Sequence, residues 1–293
     1  MRFGKLRRVF AVVFLLLSAC GSSSREIAPI DSAQPAAPER IISVVPSATE
    51  MLFAMGAGEK VVAIGDYDKL PPEAEPRPRI GGLLNPNIER IIELRPDMVI
   101  TYGSQEVLRQ QLVSLGIRMY PFTHGSIDET LQFMTDLGRT VGAENQANAL
   151  IAQIRSAFEE VRAGAHRTRP KVLIVHNRAA GVMGSFYSVG SRAFQHELIE
   201  MAGGENLFAD VDREIIEPSV EQIVSRRPDI IIETLPPPVD KRELEQRQKD
   251  WETMRTLPAV LNHRIYLTGE DYLLVPGPRL DLAARRFGEL IRQ

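Results

Sequence analysis

The stretch from Glu89 to Ile100, Glu-Arg-Ile-Ile-Glu-Leu-Arg-Pro-Asp-Met-Val-Ile, returns 132 positions later as Glu221 to Ile232, Glu-Gln-Ile-Val-Ser-Arg-Arg-Pro-Asp-Ile-Ile-Ile. Each copy reads as an acidic residue in the first turn of a short helix, then Pro-Asp, then a strand of branched residues. Asn87 and Ser219 stand where an N-cap belongs, so each glutamate also complements its helix dipole. A repeat of this kind constrains the chain to two versions of one lobe, with a ligand cleft between them. A carboxylate at the same place on each lobe further points to a partner with matching two-fold symmetry.

Flanking patterns extend the repeat. In the first half, Ile41 to Val45 is a short apolar run suited to a strand buried on both faces. Pro46-Ser47-Ala48-Thr49-Glu50 then opens a helix, with Ser47 at the N-cap and Glu50 at the capping-box spacing. Strands follow at Val61–Ile64, Met98–Thr101 and Ile117–Tyr120, and helices at Ile88–Leu94, Val107–Leu115 and Ile127–Val141. The second half restates the scheme, with strands at Val172–Val175, Ile230–Glu233 and Arg264–Leu267. Its helices fall at Ala193–Ala202, Val220–Arg226, Lys241–Met254 and Pro278–Ile291. Alternating strand and helix argues for an α/β fold with parallel sheets. Between the halves, Ala147, Leu150, Ile151, Ile154, Phe158 and Val161 recur at three- and four-residue steps, one apolar face of a long helix. At 1.5 Å per residue that helix reaches about 28 Å, enough to bridge two lobes.

The N-terminus bears on compartment. Arg2, Lys5, Arg7 and Arg8 precede the apolar run Val9 to Leu17, which is shorter than the roughly 20 residues of a membrane span and fits a secretory signal. Leu17-Ser18-Ala19-Cys20-Gly21 then resembles the lipobox of bacterial lipoproteins, with residues 1–19 removed and Cys20 lipidated. Cys20 is the single cysteine, so no internal disulfide is available. Residues 20–39 change to Ser, Pro, Ala and charge, a composition suited to a flexible tether. Two lobes at 40–142 and 169–293, joined by 143–168, account for the remainder. A formal net charge of −3 argues against a nucleic-acid partner.

Four motifs together resemble the class III substrate-binding proteins of ABC importers, above all the cobalamin-binding type. They are Arg40-Ile-Ile-Ser-Val-Val-Pro-Ser-Ala-Thr-Glu50, the paired Glu/Pro-Asp units, Ala202-Gly-Gly-Glu-Asn206 and Gly277-Pro-Arg279. The resemblance covers Arg40 to Gln293. It implies two Rossmann-like lobes joined by one backbone helix, and capture of cobalamin, haem or an iron(III)–siderophore. It also implies delivery to a dimeric permease with its ATPase subunits, onto which Glu89 and Glu221 would dock. Tyr67, in Asp66-Tyr67-Asp68-Lys69-Leu70-Pro71-Pro72, lies in a segment similar to one that supplies an aromatic wall in cobalamin binders. Leu83 and Ile215 stand where such proteins can carry tryptophans.

Ligands of open α/β sheets sit beyond the carboxyl ends of the strands. That rule nominates Ser47, Asp66, Tyr67, Leu83, Leu84, His124, His176, Arg178, Ile215, Asp271 and Tyr272. His124 and His176 each follow a strand and are candidates for a metal, though their spacing matches no zinc signature. Arg178 could pair bidentately with a carboxylate ligand. Enzyme motifs are absent: Gly56-Ala57-Gly58 ends a helix and lacks the third glycine. Gly184-Ser185 and Gly190-Ser191 do not form G-x-S-x-G. The chain is expected to bind and hand over, not to catalyse, and to need no cofactor of its own.

Overall fold

Apolar β-branched runs too short for helices and bounded by turns make the first lobe's sheet. A computed structural model describes residues 36–293 apart from 124, 166–167 and 236–237; the proposed signal peptide, Cys20 and His124 therefore lie outside the described residues. In chain order come β1 (Ile41–Ser43), α1 (Pro46–Ala54), β2 (Val61–Ile64), α2 (Ile88–Leu94), β3 (Met98–Tyr102), α3 (Glu106–Ser114), β4 (Arg118–Phe122) and α4 (Ile127–Val141). The long α5 (Glu144–Ala163) follows. The second lobe runs β5 (Lys171–His176), β6 (Ser188–Val189), α6 (Phe194–Met201), β7 (Glu205–Asn206), β8 (Ile215–Ile216), α7 (Val220–Arg226), β9 (Ile230–Thr234), α8 (Lys241–Glu252), α9 (Pro258–Leu261), β10 (Ile265–Thr268) and α10 (Leu280–Arg292).

The two main sheets have the same order, β2-β1-β3-β4 and β7-β5-β9-β10, and every pairing within them is parallel. The registers agree as well: Ile41 lies opposite Met98, and Val172 opposite Ile230. The repeated Pro-Asp has a shared structural use. Asp97 accepts from the backbone N–H of Glu39 (2.8 Å) and Arg40 (3.1 Å), and Asp229 accepts from that of Lys171 (2.8 Å). Each aspartate thus staples the third strand of its sheet to the entry of the first. Arg95 and Arg227 cap α2 and α7 in the left-handed region, at φ 46° and 54°, which ends each helix abruptly before proline.

α5 buries Ala147, Ile151, Ile154, Ala157, Phe158 and Val161. It packs on α4 from the first lobe and on α10 and α6 from the second, so bridging and packing are one arrangement. Gly138 of α4 sits where a Cβ would lie 2.4 Å from that of Ala147, so any side chain there would push the two helices apart. One apolar core runs from the first sheet through α5 to α10 and one face of β5 and β9. A second, around Phe186, Phe208 and Trp251, fills the other face of the second sheet.

Two helix starts differ from expectation. α1 begins at Pro46 with Val45 as its cap, so Ser47 is inside the helix and makes no capping box with Glu50. Proline at the first helical position pre-sets the backbone without need of a side-chain cap. α10 begins at Leu280, two residues later than expected, because Arg279 is its cap and Pro278 belongs to the preceding turn. The small β6–β8 ribbon lacks any length of alternating pattern and is not foreseeable from sequence.

Candidate functional site: an interlobe cleft and two acidic helix ends

The two copies of the repeat build near-identical helix starts. Asn87 Oδ1 accepts from Arg90 N–H (3.1 Å). Ser219 Oγ accepts from Gln222 N–H (3.2 Å), while Gln222 Oε1 accepts from Ser219 N–H (2.9 Å). Glu89 and Glu221 occupy the same helical position, both exposed. Capping and outward display are therefore compatible: the cap side chains satisfy the orphan amides and leave both carboxylates to solvent.

One cavity lies within the second lobe and another between the lobes. The first, of about 390 Å³, is lined by His176, Asn177, Tyr187, Phe194, Gln195 and Leu274 among others. The second, of about 710 Å³, has Ser126 and Glu129 of the first lobe on one side and Arg192, Asp212 and Arg213 of the second on the other. Glu214 and Ile215 line both, so the two cavities are neighbours. The Glu214 charge, after burial, helps to raise the pKa of Tyr102 at the end of β3, so these two residues face each other from opposite lobes. Gln105 Nε2 donates to the carbonyls of both Tyr102 (2.7 Å) and Leu83 (3.1 Å), which ties the Leu83–Leu84 turn to the same rim.

His176 is held by a hydroxyl at the end of the neighbouring strand. Its Nδ1 lies 2.6 Å from Thr234 Oγ1, and that hydroxyl donates to the carbonyl of Val175 (3.3 Å). In the tautomer protonated at Nδ1 the imidazole donates to that hydroxyl and Nε2 carries the lone pair. Burial without a counter-charge pushes the imidazole pKa down to about 4, so it is neutral at physiological pH. Tyr187 pairs with His176 through two backbone hydrogen bonds of 2.8 and 2.9 Å, placing an exposed aromatic ring next to the imidazole.

On the first lobe, Tyr67 is 66% and Leu84 70% exposed, on a loop otherwise held tightly. Arg79 Nη1 donates to the carbonyls of Gly65 (2.9 Å), Asp66 (3.2 Å) and Asp68 (2.9 Å). Asp68 is buried, accepts from Gly65 N–H (3.0 Å), and has its pKa raised to about 6 by desolvation. Asp66 faces outward and accepts from Gly81 N–H (3.2 Å). A Cβ on Gly82 would sit 3.6 Å from the Tyr67 ring, so that ring lies alongside the Gly81–Leu84 turn.

Other nominated residues lie elsewhere. Arg178 is not free for a ligand: it is buried, paired with Glu233 (2.9 Å) and Asp250 (2.8 Å), and stands 5.3 Å from the Trp251 ring centre. An arginine directly after a strand end can turn inward once the sheet itself supplies a carboxylate, and Glu233 of β9 does so. Ser47 is buried against Gly277 and its hydroxyl has no partner. Asp271 is bound to Arg279 (2.6 Å), and Tyr272 lies under the same guanidinium at 5.7 Å. Sequence reasoning passed over Tyr102, Tyr187, Arg192, Arg213 and Glu214. Tyr102 directly follows a branched strand, which was a usable signal; the others sit on irregular segments that carry none.

A family model described as "Periplasmic binding protein" matches residues 41–272. The chain belongs to that family. It is a solute-binding protein of the two-lobed class that serves ABC importers, and not an enzyme. It is 28% identical over 252 residues to a vitamin B12-binding protein of Yersinia pestis, covering 85% of each chain. Among solved structures, a possible iron-binding periplasmic solute-binding protein of Staphylococcus epidermidis is 26% identical, with a TM-score of 0.73 over 87% of this chain and 99% of that one. A periplasmic haem-binding protein of Roseiflexus sp. RS-1 is 25% identical, with a TM-score of 0.71 over 86% and 99%.

Proposed function

We propose that this binding protein captures a corrinoid, with cobalamin as cargo, while tethered to a membrane through lipid on Cys20. It hands that cargo to a permease dimer that docks on Glu89 and Glu221. The observation that carries the ligand reading is a cleft with exposed apolar walls and nearly balanced charge. Tyr67 and Leu84 are large, exposed side chains of the first lobe, and Tyr187 and Ile215 of the second line the cavities. Around them Glu129, Asp212 and Glu214 oppose Arg192 and Arg213, and Arg192 is already spent on Asp212 (2.7 Å). Such a lining disfavours a multiply anionic chelate, which needs an excess of cations. It suits a large neutral ligand with amide arms and apolar faces. The likeness to curated vitamin B12-binding proteins supports the same choice.

Haem is the second reading, favoured by one observation: the neutral imidazole of His176 on a cavity lining, the type of side chain that serves as an axial ligand for iron. Equilibration of the protein with cobalamin, haemin and a ferric siderophore, followed by desalting and spectroscopy, separates these readings. Retention of the corrin spectrum is expected. A Soret band retained instead, and shifted by His176→Ala, would transfer the assignment to haem. For docking, Glu89→Arg with Glu221→Arg should abolish uptake and leave ligand affinity unchanged; lost affinity would sink the docking role. Cys20→Ser should release the chain from membranes.

A further inference from the structure

Outside the cleft, the most heavily engaged polar group between the lobes is Arg279, in the turn before α10. Its Nε and Nη2 grip Glu50 of α1 at 2.7 and 2.9 Å, a bidentate pair between residues 229 apart in sequence. Nη1 donates to Asp271 of its own lobe at 2.6 Å, and the guanidinium stands over Tyr272. All three charged side chains are partly shielded, with Glu50 the most buried at 13% exposure. Gly277, two residues before Arg279, lies against Ser47 of α1, where a Cβ would meet that of Ser47 at an ordinary contact distance of 3.5 Å. Other polar links between the halves are weaker or run through the connecting helix. Glu197 accepts from Ile127 N–H (2.9 Å), Gln153 of α5 donates to Asp281 (3.0 Å), and Arg285 pairs with Glu160 of α5.

We propose that Arg279 is the positioning residue of the cleft, a latch that joins the lobes independently of α5 and sets the spacing at which they hold a ligand. A single hinge helix fixes where the lobes pivot, but leaves their angle to whatever contacts lie off the pivot. The Glu50–Arg279 fork joins α1 to the turn before α10 beside Leu150 of α5, and its bidentate geometry restricts the relative orientation of the two. It is also built to part. Desolvation raises the Glu50 pKa despite the arginine, so burial of this carboxylate is incompletely offset and solvent exposure on opening would relieve it. Asp271 remains beside Arg279 after the fork breaks, which spares the guanidinium from being stranded. The inference concerns lobe spacing and does not depend on which cargo is bound.

The test uses the full chain with Cys20→Ser, spin-labelled through Glu93→Cys on α2 and Ser225→Cys on α7, both exposed. Double electron–electron resonance on ligand-free protein reads the lobe spacing directly. Glu50→Gln and Arg279→Ala should each broaden the distance distribution, and the double variant should add little to either. Arg279→Lys should recover the spacing in part, since a point charge reaches Glu50 without the fork. Asp271→Asn should leave the spacing as in the parent. With cobalamin as probe, release from Glu50→Gln should be about tenfold faster, the equivalent of one charge-assisted contact. A distribution unchanged by both Glu50→Gln and Arg279→Ala overturns the latch. Altered spacing without cobalamin binding in the parent would refute the ligand reading and leave the latch standing.

Discussion

The two lobes are the same scaffold solved with different chemistry. The matching registers put Thr101 of β3 and Glu233 of β9 at equivalent places, and the correspondence of Ile41 with Val172, carried along the chain, matches Ser47 with Arg178. In the first lobe both positions are small, buried hydroxyls without a side-chain partner. In the second, Glu233 takes Arg178 (2.9 Å), Arg247 (2.6 Å) and the Trp251 indole N–H (2.7 Å), while Asp250 takes Arg178 (2.8 Å) and the amide of Gly181 (2.8 Å). This network pins α8 and the 178–183 turn to the end of the sheet, immediately after His176 and Asn177. The first lobe reaches a similar end from the surface, with Arg79 clamping the Tyr67 loop through its carbonyls. One cleft wall is thus anchored from beneath by buried charge, the other from outside by a half-exposed arginine.

The largest expected effect follows from breaking the buried set. Glu233→Ala leaves Arg178 with Asp250 alone and Arg247 with Glu243 alone, an excess of buried positive charge, and should cost about 3 kcal/mol of stability. Urea titration measures it directly. Thr101→Val, at the matched position, removes a buried hydroxyl that has no hydrogen-bond partner and should change stability by less than about 1 kcal/mol. Equal losses at the two sites would mean that the lobes do not differ in the way described.

This asymmetry also explains what was legible in the sequence. The repeated Glu…Pro-Asp unit exposed the duplication, the sheet class and both acidic helix ends, because each depends on local pattern: an N-cap, a short apolar helix, a proline stop. α5 was readable from its period. Arg178 was misread because strand-end position says where a side chain starts, not which way it turns; its partners Glu233 and Asp250 lie 55 and 72 residues away. Ser47 was misread because Pro46 can open a helix unaided. Arg279 was seen as part of a motif, but its bond to Glu50 spans nearly the whole folded chain, and no local rule reports such a contact.

Acidification should set the lobes against each other. Asp68, in the first lobe, has a folded pKa of about 6 against an ordinary 3.8, so its contribution to stability is fully present below 3.8 and is lost as pH rises through 6. His176, in the second, has a folded pKa of about 4 against 6.5, so its contribution is present above 6.5 and is lost as pH falls toward 4. Between pH 4 and 6.5 the two slopes oppose and largely cancel. Asp68→Asn should uncover the histidine slope, with about 2–3 kcal/mol lost from pH 6.5 to 4. His176→Gln should uncover the reverse, a comparable loss from pH 4 to 6. Denaturant melts across this range test both signs, and identical profiles in the two variants would refute the pairing.

The smallest effect concerns the wall that is held from outside. Arg79→Ala frees three carbonyls, two of them part-buried, and water entering the space left by the half-exposed guanidinium replaces the lost donors, so global stability should fall by about 1 kcal/mol. The Tyr67 loop, however, loses the clamp that fixes its path, and ordering it on binding then costs entropy. Cobalamin affinity should drop roughly fivefold through faster release, about 1 kcal/mol. Tyr67→Ala should do at least as much, and Arg79→Ala added to it should do nothing further, since the clamp acts only through the ring it positions. Additive losses in calorimetry would show that Arg79 meets the ligand itself, and the contrast between the two walls would then be one of contact and not of anchorage.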